Sequence, residues 1–212
     1  MSSHVTRSQG SMGIRATRMA RSVLAGAMAV GATVATLGLS APAGASSPSI
    51  AVGSKPYAVA VNPTTTTVYV ANSGGNSVSV INGSTNAVTA TIAVGTHPKG
   101  VAVNPSTNTV YVTNQGSNSV SVINGATNTV TATVPVRRNP SGVAVNPTTN
   151  TVYVADLNGN SVSVINGATN AVTSTVTVAN HPYAVTTNAS TNTVYVTAST
   201  GSAVVVLGGA AS

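Results

Sequence analysis

The chain has no cysteine, and only 4% of its 212 residues are charged. The first absence excludes disulfides, thiolate metal ligands and cysteine nucleophiles. The second is unusual, because soluble domains carry about 25% Asp, Glu, Lys and Arg. Solubility must rest on Asn, Thr, Ser and Gly. Acids are the scarcest of all: Asp156 stands alone. General acid–base catalysis and glycoside hydrolysis rely on paired carboxylates, which a single acid cannot form. Phosphate-cradling glycine loops and dinucleotide fingerprints are missing too. The formal charge of +7 is no nucleic-acid footprint. Arg7, Arg15, Arg18 and Arg21 cluster near the N-terminus; beyond them stand only Lys55, Lys99, Arg137 and Arg138. Four scattered cations do not neutralise a run of phosphates.

The N-terminal arginines precede an uncharged apolar run, VLAGAMAVGATVATLGL at 23–39, and then Ala43-Gly44-Ala45. A basic segment, an apolar segment and an A-x-A site describe a secretory signal peptide, here residues 1–45. The alternative is a retained membrane anchor. A spanning helix needs about 20 strongly apolar residues, and this run is rich in Ala and Gly. The expected product is therefore a secreted or cell-wall-associated chain, 46–212, with no membrane span after cleavage.

The rest of the chain repeats. Tyr69, Tyr111, Tyr153 and Tyr195 recur every 42 residues, inside TTVYVAN, NTVYVTN, NTVYVAD and NTVYVTA. NSVSVING recurs at 76–83, 118–125 and 160–167, with SAVVVLGG in the fourth slot. The units run about 55–96, 97–138, 139–180 and 181–212, the last joined by 49–54. Within a unit, four short runs alternate Val or Ile with Thr, Ser, Ala or Tyr, and Asn-Pro, Asn-Gly and Gly/Ser/Asn clusters separate them. A period of two with β-branched content gives strands, and the separators give turns. Four antiparallel strands in about 40–45 residues is the size of a β-propeller blade.

VYVTN together with NSVSVIN and VAVNP resembles the YVTN family of β-propeller repeat proteins over about residues 50–209. The resemblance implies an extracellular or surface-layer propeller, often with more blades than this chain supplies. It brings no catalytic residue with it. The final Asn of the motif is Asn72 and Asn114, then Asp156, then Ala198, which argues against a strict chemical role for that side chain.

The expected fold is all-β, a propeller of four four-stranded blades. The segment SIAVGS (49–54) matches the end of an outer strand, TIAVGT (91–96), and SAVVVLGG is a third strand with no outer partner after it. Pairing the N-terminal strand with the last blade would close the ring within one chain. Half of an eight-bladed homodimer is the alternative.

Positions that differ between units are free of the blade's own demands. The loops entering each inner strand read GSKPYA, GTHPKG, VRRNPSG and ANHPYA around a constant proline. They hold Lys55, Tyr57, His97, Lys99, Arg137, Arg138, His181 and Tyr183, the candidate ligand-binding residues. Tyr, Arg and His are good recognition groups. Two histidines without carboxylates do not make a metal site, and no cofactor is expected. The expected function is a non-enzymatic module that binds a cell-wall polymer, glycan or protein through this loop face. A structural or adhesive surface protein is the alternative, and a hydrolase or lyase the least favoured.

Overall fold

The computed structural model describes residues 48–178 and 181–208; the expected signal peptide lies outside them. Among the described residues, alternating Val and Thr runs form fifteen strands in four antiparallel sheets, one per repeat. Blade one holds β1 (Pro56–Asn62), β2 (Thr67–Asn72), β3 (Ser77–Asn82) and β4 (Ala87–Ala93). Blade two holds β5 (Pro98–Asn104), β6 (Thr109–Asn114), β7 (Ser119–Asn124) and β8 (Thr129–Pro135). Blade three holds β9 (Pro140–Asn146), β10 (Thr151–Asp156), β11 (Ser161–Asn166) and β12 (Ala171–Thr177). Blade four has three strands, β13 (Pro182–Asn188), β14 (Thr193–Ala198) and β15 (Ala203–Gly208). A 3-10 turn at Leu157–Gly159 joins β10 to β11. No helix among the described residues is long and apolar enough to cross a membrane.

The turns are tight because one residue in each takes left-handed backbone. Asn fills most of these places, including Asn76, Asn86, Asn108 and Asn118. Asn tolerates that region better than other L-residues. Thr66, at φ 51°, is the β-branched exception.

Consecutive blades pack face to face, with β1 against β5, β5 against β9 and β9 against β13. Each blade has a trailing face, turned toward the next blade, and a leading face. At the first interface Tyr69, Val78, Val80 and Ile92 trail into Val101, Val103, Val110, Val112 and Ile123. The second interface repeats this with Tyr111, Val120, Val122 and Val134 against Val143, Val145, Val152, Val154 and Ile165. The third uses Tyr153, Val162 and Val164 against Val185, Val194 and Val196. Full burial of one such side chain contributes about 1.5–3 kcal/mol. The Tyr of VYV is thus an interface residue. Its hydroxyl does not reach a polar edge as its amphipathic character suggests: those of Tyr69 and Tyr111 are buried without a hydrogen-bond partner. Burial raises the pKa of both.

Closure by the N-terminal strand is not what the structure shows. Among the described residues no strand pairs with the free edge of β15. Residues 49–54 form no strand. They lie against blade one, where the Gly53 N–H donates to Ser79 Oγ at 3.3 Å. Both end faces stay open. On blade one Val59 is 64% and Val61 55% exposed; on blade four Val204 is 58%, Val206 59% and Tyr195 38% exposed. Strand counting says nothing about curvature. A ring of four requires a right angle at each interface, and that angle is set by how Val, Ile and Tyr pack between the sheets, which the strand count does not contain.

Candidate functional site

The variable loops and the turns between second and third strands share one face. Backbone contacts join them: Ser73 N–H donates to the Lys55 carbonyl, Gln115 to His97, Leu157 to Asn139 and Ser199 to His181. Lys55, His97, Asn139 and His181 hold equivalent places just before the constant proline. All four take left-handed backbone, with φ between 50° and 56°. The N–H groups of His97, Asn139 and His181 donate to Asn76, Asn118 and Asn160 Oδ1 of the preceding blade at 2.9–3.0 Å. These residues shape the loop and link neighbouring blades. The two histidines enter no group of three metal-binding side chains among the described residues.

The next equivalent position, one past the proline, carries Tyr57, Lys99, Ser141 and Tyr183. Three of these converge. The Tyr57 and Tyr183 hydroxyls hydrogen-bond to each other, although 126 residues separate them. The Lys99 ammonium lies 3.8 Å from the centroid of the Tyr57 ring, within cation–π distance. Both tyrosines remain substantially exposed. The mutual hydrogen bond raises the pKa of Tyr183, with burial adding and Lys99 opposing. Ser141 is buried, and its carbonyl accepts from Thr113 Oγ1 at 2.6 Å. The mouth cluster is therefore Tyr57, Lys99 and Tyr183, supplied by β1, β5 and β13. Arg137 and Arg138 stand apart from it, on the loop entering blade three. Arg137 sits near the Asp156 carboxylate, and the Arg138 carbonyl accepts from Asn158 N–H.

Asp156 occupies the slot of Asn72 and Asn114. Asn72 Nδ2 donates to Ser77 and Ser79 Oγ, and Asn114 Nδ2 to Ser119 and Ser121 Oγ. Asp156 reverses the polarity: Ser161 and Ser163 hydroxyls donate to its Oδ2 at 3.2 and 2.7 Å. It makes no capping bond to the 3-10 turn beside it. Burial pushes its pKa up to about 6, against the pull of Ser163, Ser161 and Arg137. In blade four the set becomes Ala198, Ala203 and Val205. The three positions change together, which marks them as one structural unit. That joint change was readable in the repeats. A second motif links the blades: Asn62, Asn104 and Asn146 each donate from Nδ2 to Oδ1 of Asn108, Asn150 and Asn192 in the following blade at 2.8 Å.

A family model described as Lactonase, 7-bladed beta-propeller matches residues 25–131. One described as NHL repeat matches residues 138–165. No curated protein matches. Among solved structures, the chain is similar to hydrazine synthase of Kuenenia stuttgartiensis, at 28% identity and a TM-score of 0.64, over 67% of this chain and 41% of that one. A functionally unknown protein from Desulfotomaculum acetoxidans gives 18% identity and 0.61, over 68% and 49%. U3-55K gives 15% and 0.60, over 74% and 53%. The last two show the fold alone. The chain spans about half the length of these structures or less.

Proposed function

We propose a binding role from a premise of kinship: the chain belongs to the Lactonase, 7-bladed beta-propeller family. Within it the chain is a secreted, YVTN-type module without catalytic activity, which holds an anionic glycan polymer of the cell envelope. The observation that carries this is the mouth cluster. Three blades deliver two exposed tyrosines and one ammonium to a single point on the variable face. Tyrosine rings offer flat apolar surface with a polar tip, which suits a sugar ring. Lys55, Lys99, Arg137 and Arg138 all lie on these loops, while the single acid is buried behind them. The face is therefore uniformly cationic, which favours a negatively charged polymer. Against catalysis, the lone carboxylate accepts hydrogen bonds from Ser161 and Ser163 and has no access to solvent. That is why the lactonase activity in the family's description is not carried over to this chain.

Sedimentation with purified cell wall tests the reading. Tyr57→Ala with Tyr183→Ala should lower retention at least tenfold. Lys99→Ala should weaken it less and flatten its decline with salt, since screening acts on the charge and not on the rings. Undiminished retention of the double variant would remove the proposal.

A further inference from the structure

We propose that the two open end faces are the halves of one interface, and that a second copy of this chain completes it. Two copies join head to tail, trailing face of blade four onto leading face of blade one, and close a ring of eight blades. The count lies within the usual range of about 4–8, and one above the seven of the family's description.

The interior of the chain supplies the template. The same interface forms three times, always Tyr and Val of a trailing face against Val and Ile of a leading face. Blade one presents the leading half without a partner: Val59 and Val61 are exposed and Val68 and Val70 half-buried, with Ile81 buried beside them. Blade four presents the trailing half uncovered: Tyr195, Val204 and Val206. Each open face forms a shallow hollow, one including Tyr57, Val59 and Val70, the other Tyr195, Thr197 and Val204. Neither half carries a charged side chain, so nothing repels the match. Exposed apolar surface of this extent marks an interaction site.

The fine detail agrees. The hydroxyls of Tyr69 and Tyr111 fit beside Gly125 and Gly167 of the next blade, where an added Cβ would come within 2.8 Å of them. Gly83 holds the same place on blade one and has no tyrosine beside it. Tyr195 of a second copy fits there. The backbone agrees as well. Inside blade one β4 pairs with β3 through Val78–Ile92 and Ser77–Ala93. The equivalent positions at the open end are Val204 and Ala203 on β15, with Ile50 and Ala51 of the second copy. The 49–54 segment thus covers the free strand edge of its neighbour, an edge that otherwise invites uncontrolled pairing. The ladder bond changes partner there: Asn188 would donate to the Thr66 hydroxyl.

A head-to-tail contact closes or polymerises according to its rotation, so mass decides. Native mass spectrometry of the full chain should give twice the chain mass. Val204→Asn with Val206→Asn, and Val59→Asn with Val61→Asn, should each give single chains with native circular dichroism. Mixing the two variants should restore the paired mass, because one of the two interfaces then has both faces intact. A wild-type monomer overturns the proposal, as does an open-ended polymer. Persistence of pairs in the Val59/Val61 variant alone overturns head-to-tail order. Should the face variants unfold, cross-linking decides, and the cysteine-free chain suits it. Ile50→Cys with Val204→Cys should oxidise to a covalent two-chain species; its failure to do so overturns the strand exchange.

Discussion

The three interior interfaces and the two end faces are built from the same residues, yet they live in opposite environments. Tyr69, Tyr111 and Tyr153 are sealed between blades, while Tyr195 meets solvent. Val78, Val120 and Val162 are fully buried, while their counterpart Val204 is mostly exposed. The repeat therefore contains its own control. A side chain's worth at these positions is set by whether a neighbouring blade exists, since the strand that carries it is the same. Blade stability is a sum of unit and neighbour terms in such arrays, and the ends lack one neighbour term each.

The largest test of that contrast is truncation of equivalent tyrosines. Tyr111→Ala opens a cavity in the second interface and should cost about 3–5 kcal/mol in urea unfolding. Tyr195→Ala removes a half-exposed ring and should cost less than about 1 kcal/mol in dilute protein. Equal losses would show that the blade itself, rather than the neighbour, holds the ring. A Tyr195→Ala cost that grows with protein concentration would instead sharpen the contrast, because assembly adds the missing neighbour.

The second test compares buried triads. Asp156 is the acid where blades one and two use Asn. Its folded pKa, about 6, lies above the ordinary 3.8. Between those values the folded protein retains a proton that the unfolded chain releases. The group's contribution is thus fully present below about pH 4 and is lost as pH rises through about 6. Asp156→Asn restores the amide of Asn72 and Asn114, and the serine hydroxyls can turn to accept from it. The substitution should change little near pH 4 and gain about 2–3 kcal/mol above pH 7, from about 1.4 kcal/mol per pKa unit. A gain independent of pH would mean that the carboxylate is not the cause.

Much of this architecture was legible in the sequence, because a 42-residue period places like residues in like surroundings. Strand order, turn positions and the variable face follow from Val alternation and from Asn and Pro at fixed offsets. Closure was not legible: the four units and the segment 49–54 supply the right number of strands, whereas the turn at each interface depends on how Tyr, Val and Ile pack in three dimensions. The candidate site was legible in part. Tyr57, Lys99 and Tyr183 share one offset after the proline, and the inner strands bring that offset together. Lys55, His97 and His181 share the offset before it, where left-handed backbone is the governing demand. Asn139 in the same slot was the available hint, since Asn fills that conformation in the other turns. The Asn62–Asn108 ladder was not legible, because its partners stand in different units and no single motif contains both.

The smallest effect lies at the leading face of blade one, where Thr66 takes the place held by Asn108, Asn150 and Asn192 in the other blades. All four have left-handed backbone, with φ of 49–51°. A β-branched side chain is strained there, and Asn is the L-residue that best relieves it. Thr66 keeps the turn because its carbonyl still accepts from Gly83 N–H at 2.8 Å, as the Asn108 carbonyl does from Gly125. Thr66→Asn should therefore leave the turn intact and stabilise by about 1 kcal/mol. In a chain of this size that raises Tm by roughly 2–4 °C. The same change installs the amide oxygen that the interior ladder uses, so it should also tighten the pairing of two copies through Asn188. A raised Tm with unchanged pairing would separate the backbone effect from the ladder. A lowered Tm would show that the hydroxyl of Thr66, which donates to the Thr65 carbonyl at 2.7 Å, matters more to this turn than the strain at its backbone.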